Sequence, residues 1–374
     1  MYHKILSKTF TGQRYADGGI VLTRKLGNID RLSRLDPSGM LEAIDGFPEH
    51  FLEYGVYGKM VPRLGGRLSI DNIVLAGMGG SASAGDIILE WLRDSLKIPA
   101  LLLREPDLPN FVGPRTLFVG ISYSGKTLET LTAFRSANKR HAKLVGIGTG
   151  GTLASLCEKY RVSFVTVPPT IAPRAALPQL AVATASVLEN VGVAPDLTRH
   201  MISTGKELVH LRQKLNISIP IANNPAKRLA TSLRRGLVVI YALQRMSSVA
   251  RRFKNQLAEN SKLAAKCDLL PEAAHNEIEG WKDQSVKLTP LIIRDWEETR
   301  LEAKIIRAFT DTIRGVGQTR PQSVQIRATD SLSRLVSTVF FLDYVSAYLA
   351  ILRGTDPTPT RLIKEYKRRL DNRG

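Results

Sequence analysis

From Asn72 onward the apolar positions switch between two periods. Short unbroken apolar runs, NIVLAGM, PALLLR, TLFVG, KLVGIG and SFVTV, alternate with longer stretches such as SASAGDIILEWLRD and TLETLTAFRSANK, in which apolar residues recur at three and four. Brief runs bounded by Gly and Pro predict strands covered on both faces, and the longer stretches predict the helices that cover them. This order predicts an α/β fold with a doubly wound parallel sheet and ligands at the carboxyl ends of its strands. A helix beginning near Ala176 closes the unit. The turn residues of GVAPDLTRH set a boundary near Ala194, giving a first domain over 1–194 and a second over 195–374. The second domain repeats the scheme, with strands predicted at ISIPIA, LVVIYA, LTPLIIR and SVQIRA, and helices over 247–265, 297–313 and 332–352. After DPTPT a short basic helix is predicted over 363–370. The first seventy or so residues read as helical and irregular, with Pro37, Gly39 and Pro48 as breakers, too interrupted for a DNA-reading helix-turn-helix.

With 374 residues and 43% hydrophobic content, the chain can bury two cores. Cys157 and Cys267 stand far apart in sequence and belong to no disulfide framework or metal motif, which predicts a reducing compartment and no metal. The start, MYHKILSKTFTGQRY, lacks the apolar centre of a signal peptide, and STVFFLDYVSAYLAIL carries Asp343 and is short for a bilayer, so a cytoplasmic protein without a membrane partner is expected. The 53 Lys and Arg against 34 Asp and Glu give a formal charge of +19, which attracts phosphorylated metabolites and nucleic acid alike. The basic residues cluster only locally, at Arg251, Arg252 and Lys254 and at Lys367, Arg368 and Arg369, and no aromatic-interleaved basic stripe runs along the chain. A specific nucleic-acid partner is therefore not expected.

Two glycine-rich turns each follow a strand and open a helix. The second, GISYSGKT from Gly120 to Thr127, fits the phosphate-loop pattern G-x-x-x-x-G-K-[ST], and its helix start aims free N–H groups at an anion. A nucleotide there also needs an acid ending a neighbouring apolar strand to hold magnesium. The runs LVGIG, FVTV, LVVIYA and PLIIR end in Gly, Val, Ala and Arg, which leaves Lys126 without that machinery and an ATP-binding protein as the runner-up. The first turn, GMGGSAS from Gly77 to Ser83, fits a dinucleotide pattern through Gly77, Gly79 and Ala82, with Glu105 as a ribose-binding acid. Such turns also serve plain strand-to-helix packing. Ser122, Ser124 and Thr127 are spaced to converge on one phosphate, with Ser81 closing the cradle.

The G-G-S of Gly79 to Ser81 followed by the S-x-S-G-x-T of Ser122 to Thr127 resembles a sugar isomerase (SIS) domain. Further along, PRAALPQL, NPAKRLA, RRFKNQLAENSK and PEAAHNEIEGW, with DPSGMLEAIDGFPE near the start, are similar to the bifunctional phosphoglucose/phosphomannose isomerases. The similarity runs from about Asp36 to the carboxyl terminus, and Lys126 departs from the Asn usual at its place. The resemblance implies two SIS-type αβα sandwiches. It implies reversible isomerisation of glucose 6-phosphate and fructose 6-phosphate, and also of mannose 6-phosphate, through a cis-enediolate, without cofactor or metal, in a homodimer with shared active sites. That chemistry needs a carboxylate base near C1 and C2, an acid/base at the ring oxygen, a cation near the enediolate and a phosphate anchor.

The resemblance assigns the anchor to Gly79, Gly80, Ser81, Ser122, Ser124 and Thr127, the base to Glu259, the enediolate cation to Arg174, and ring opening to His275 from the neighbouring subunit. Matching IKEYKRRL adds Lys367 to ring opening, with Lys364 competing. Each has a plainer reading: Glu259 as an exposed helix residue pairing with Lys262, Arg174 as loop packing, His275 as a turn residue and the lysines as part of a basic surface helix. One departure stands in the second domain, where LQRMSS follows the strand LVVIYA and relatives carry glycines. A sugar-phosphate-sensing regulator on the same fold is the non-enzyme alternative. It would bind the phosphate, lack the base and normally add a DNA-binding region.

Overall fold

The computed structural model describes residue 26 and residues 29–56, 69–282, 285–316 and 320–371; the stretch MYHKILSKTFTGQRY lies outside the described residues. Three short helices come first, α1 (Ile29–Leu35), α2 (Met40–Asp45) and α3 (Phe47–Leu52). The first sheet then forms from β1 (Asn72–Ala76), α4 (Gly79–Leu92), β2 (Ala100–Leu103), β3 (Thr116–Ile121), α5 (Leu128–Lys139), β4 (Lys143–Gly148), α6 (Gly151–Tyr160) and β5 (Ser163–Thr166). Its strands are all parallel in the order β2-β1-β3-β4-β5, with Ala76 opposite Gly120 at the carboxyl ends of β1 and β3. The order reverses between β1 and β3, so the loops leaving these two strands flank the crevice where open α/β sheets bind ligands. The hydrophobic pattern does not predict α6. Parallel strands require a crossover, and α6 supplies it with only Leu153, Leu156 and Cys157 buried, too few to display a period.

Next come α7 (Leu177–Asn190), α8 (Thr198–Leu215) and α9 (Pro225–Ser232). The second sheet is built from β6 (Leu237–Leu243), α10 (Ser247–Glu259), β7 (Ala265–Leu270), β8 (Leu288–Asp295), α11 (Arg300–Val316) and β9 (Gln322–Ile326). Its order is β7-β6-β8-β9, again all parallel, with its own reversal between β6 and β8. Helices α12 (Ser331–Leu352) and α13 (Arg361–Asp371) finish the described chain. The expected α/β fold with two parallel sheets is what forms.

Two elements differ from the pattern. ISIPIA is not a strand: Ile219 N–H donates to the Asn216 carbonyl at 3.1 Å, and Asn223 and Asn224 N–H both reach the Pro220 carbonyl at 2.9 Å, so the segment closes on itself in turns. Its carbonyls are taken by the buried Lys227, whose Nζ donates to Ile217 O at 2.7 Å, Ile219 O at 2.9 Å and Leu26 O at 3.1 Å. The fourth strand is instead AKCDLL. The helix expected over 247–265 stops at Glu259, and Lys262 turns the chain with a left-handed φ of 53°.

Alternation along the strands explains why they read as unbroken apolar runs. Ile73 and Leu75 of β1, and Val238, Ile240 and Ala242 of β6, enter one buried cluster shared by both sheets. The intervening Val74 and Ala76, and Val239, Tyr241 and Leu243, enter separate clusters on the outer faces. Helix α12 runs through the shared cluster, with Leu332 to Leu352 all buried, so the apolar stretch around Asp343 is a core helix.

Burial pushes the Lys227 ammonium down to about 8, while its three donors satisfy three carbonyls at once. Lys227→Met should strand them and lower stability by about 3 kcal/mol or more. Urea unfolding checks this, and a loss below about 1 kcal/mol would contradict it.

Candidate active site

The two glycine turns meet at the reversal point of the first sheet. The Tyr123 N–H, in the loop after β3, donates to Ser81 Oγ at the start of α4 across 3.1 Å. Ser122 is buried and its hydroxyl donates to Thr127 Oγ1 at 3.0 Å, while Ser124 is exposed and its Oγ accepts the Lys126 N–H at 3.3 Å. Gly125 holds φ at 62°, and a Cβ there would fall 1.8 Å from the Gly150 carbonyl, so only glycine lets the loop close on the start of α6. Ser81, Ser122 and Thr127 therefore form one hydroxyl-lined corner beside the start of α4. Lys126 is exposed, and the strands of this sheet end in Ala76, Leu103, Ile121, Gly148 and Thr166, so among the described residues no strand end of this sheet offers the carboxylate that a nucleotide's magnesium would need.

Gly80 ties this corner to Arg174. A Cβ on Gly80 would lie 2.9 Å from Pro173 O and 3.1 Å from Arg174 Cα, so the bare glycine allows the two backbones to touch. The Arg174 guanidinium is 3% exposed and heavily engaged. Its Nε donates to Asn260 Oδ1 at 2.6 Å, and Nη2 donates to the carbonyls of Pro357 at 2.7 Å and Thr358 at 2.9 Å. Nη1 faces Glu259 Oε2 at 3.6 Å. Burial works against the charge of Arg174, and the Glu259 carboxylate works for it.

Glu259 is the last residue of α10 and stays 23% exposed, open enough to meet a substrate. Lys262 Nζ donates to the Glu259 carbonyl, and to Pro357 O at 3.2 Å, so the lysine grips the backbone where a helical ion pair with Glu259 was the plain expectation. Burial and then the Arg174 guanidinium lower the Lys262 pKa. Beside Glu259 lies a cavity of about 630 Å³ whose wall includes Lys262, Asp356, Thr360, Leu362 and Ile363. Neither Arg174 nor any residue of the hydroxyl corner lines it, so it is separate from that corner.

The chain thus brings together Gly79, Gly80, Ser81, Ser122, Ser124, Thr127, Arg174 and Glu259, and sets His275 apart from them. His275 is exposed in the turn after β7. Glu259 precedes the amino end of that strand and His275 follows its carboxyl end, so they are separated by six strand residues, roughly 20 Å at 3.3 Å each. Lys367 and Lys364 sit on the exposed helix α13 and do not line the cavity.

Behind the site lies a buried network that sequence reasoning missed. Arg252, part of the local basic cluster with Arg251 and Lys254, is 2% exposed; its Nε and Nη2 pair with Asp343 at 3.1 and 2.5 Å, and Nη2 also donates to the Arg174 carbonyl at 3.1 Å. Gln256 donates to Asp343 at 3.2 Å, and Asn260 Nδ2 donates to Ser346 Oγ at 2.9 Å. Burial raises the Asp343 pKa while the two-point Arg252 contact holds the carboxylate charged. The available signal was Asp343 itself, a charge inside an apolar helix that demands a buried partner.

Comparison with known proteins follows the same lines. Residues 222–370 match the bacterial phospho-glucose isomerase C-terminal SIS domain. The chain is similar to a bifunctional phosphoglucose/phosphomannose isomerase from Caldicellulosiruptor bescii, 32% identical over 88% of this chain and 98% of that protein. It is similar to another of that name from Thermoplasma volcanium, 30% identical over 80% and 91%. In fold it is like a hypothetical protein from Thermus thermophilus, with a TM-score of 0.72 at 17% identity over 95% of each chain.

Removing one member of the buried pair exposes its worth. Arg252→Met should cost about 3–5 kcal/mol in urea unfolding by leaving the buried Asp343 without its ion-pair partner, and adding Asp343→Leu should recover most of it. A single-variant loss under about 1 kcal/mol would contradict the pairing.

Proposed function

The chain belongs to the bifunctional phosphoglucose/phosphomannose isomerases, and from that membership we propose that it interconverts glucose 6-phosphate, fructose 6-phosphate and mannose 6-phosphate. The observation that carries the reading is Arg174, whose backbone packs against Gly80 of the first glycine turn and whose guanidinium faces Glu259 at 3.6 Å. The substrate phosphate sits at the start of α4 among Ser81, Ser122, Ser124 and Thr127. Glu259 takes the proton from C2 of the aldose and returns it to C1, or the reverse, and Arg174 Nη1 faces the charge that gathers on the enediolate oxygens. The other Arg174 donors are already committed to Asn260, Pro357 and Thr358, which leaves this arm aimed without further reorganisation.

The reaction is balanced within the substrate: C2 of the aldose is oxidised as C1 is reduced, so the protein need only move protons. Because the enediolate has lost its C2 stereochemistry, reprotonation on one face gives the glucose configuration and on the other the mannose configuration.

Ring opening falls to His275 and Lys367. The span of β7 favours a His275 supplied by the neighbouring subunit of a homodimer, since within one chain it lies far from Glu259. An imidazole carries both a donor and an acceptor nitrogen, so it can move a proton in either direction. Lys367 or Lys364 on α13 would complete the site, with residues 1–194 and 195–374 as its two domains. The two cysteines are both unpaired, which fits a cytoplasmic enzyme.

Glu259→Gln keeps the shape of the side chain and removes the base. Turnover of fructose 6-phosphate should fall at least about a hundredfold, with binding by calorimetry retained. Turnover close to that of the unmodified protein would overturn the assignment; a binding protein without turnover in either form would be the sensing regulator.

A further inference from the structure

The second sheet has its own counterpart of the phosphate corner, and it is occupied from inside the molecule. Strand β6 and helix α10 stand to the second sheet as β1 and α4 stand to the first, a strand at the reversal point followed by a helix that starts at its carboxyl end. In the first sheet that start is the open turn GMGGSAS. In the second it is LQRMSS, and Glu90 of α4 fills it: the Glu90 carboxylate accepts Ser247 Oγ at 2.5 Å, Ser248 N–H at 2.9 Å and Ser248 Oγ at 2.9 Å. Three donors and the positive end of a 13-residue helix hold one carboxylate there. Burial raises the Glu90 pKa, and the serine donors act against that rise. Ser247 and Ser248 thus take an internal anion.

The consequence reaches the other end of both helices. Glu90 faces Ser247, and Asp86, one turn earlier on α4, faces Arg251, one turn later on α10, at 3.2 Å, so the two helices run antiparallel. The start of α4, with Gly79, Gly80 and Ser81, therefore lies at the same end as Glu259, which closes α10 about 18 Å from Ser247. The register of this pair sets how far the base stands from the phosphate corner. The Asp86 contact is a weak hold on that register, because Arg251 is 43% exposed and Asp86 is shared with Arg104.

We propose that Glu90 is a positioning residue: by filling the second sheet's anion site it clamps α10 in register against α4 and so keeps Glu259 in place beside Arg174. The proposal rests on Glu259 being the base, and its test includes a readout that does not.

In Glu90→Ala, a small carboxylate added to the solution can take the vacated place. Formate at tens of millimolar should raise the melting temperature of the variant and leave that of the unmodified protein unchanged, whatever Glu259 does. Without formate, the variant's kcat for fructose 6-phosphate should fall at least about tenfold with KM changed less than about threefold, as a misplaced catalytic group gives. Formate should restore much of kcat at the concentrations that raise the melting temperature. Ser247→Ala, which removes one donor and carries little folding risk, should show a smaller kcat loss of the same kind. A melting temperature that responds while kcat is undiminished would overturn the positioning role, and no response of either quantity to formate would overturn the clamp itself.

Discussion

The buried guanidinium of Arg174 is the constraint on which the rest of the site depends. It is the point where the loop after β5, the end of α10 and the turn after α12 are held together, through hydrogen bonds to Asn260, Pro357 and Thr358. The partners lie 86 to 184 residues away in sequence, so the site forms only when both sheets have packed. A planar group with five donors can satisfy these acceptors and still present a face to Glu259; a lysine ammonium, with three donors at one point, cannot. Arg252 extends the same logic one layer deeper, holding the Arg174 carbonyl while paired with Asp343 in the core.

This arrangement separates two demands that usually conflict. An anion site needs open donors, and a buried cation needs satisfied ones. The first is met at the rim, where the hydroxyls of Ser81, Ser122 and Thr127 surround the start of α4. The second is met inside, where most Arg174 donors are committed before any substrate arrives. The antiparallel helices α4 and α10 connect the two, because one begins at the phosphate corner and the other ends at Glu259. The formal charge of +19 favours phosphorylated molecules over the chain as a whole.

What the sequence made legible is what local chemistry determines. The runs NIVLAGM and TLFVG form β1 and β3, and the hydroxyl-rich turns after them come together as their spacing required, because glycine and short side chains constrain a loop within a few residues. Where partners came from afar, the pattern misled. ISIPIA has the composition of a strand, but the Lys227 ammonium and its own turns take its carbonyls, and AKCDLL, with a lysine and an aspartate inside it, is the segment that pairs with β6. Arg252 read only as one of a basic cluster with Arg251 and Lys254, and the fold reveals Asp343 opposite it. His275 and Lys367 could be assigned by motif alone; within one chain His275 lies across the length of β7 from Glu259, and Lys367 sits on the exposed helix α13, whose first residues reach the cavity beside Glu259.

The central claim is that this chain moves protons on a sugar phosphate between C1 and C2. NMR of fructose 6-phosphate incubated with the purified protein in EDTA, without nucleotide, tests it most directly. The account predicts the appearance of both glucose 6-phosphate and mannose 6-phosphate, and fructose 6-phosphate left unchanged would contradict it.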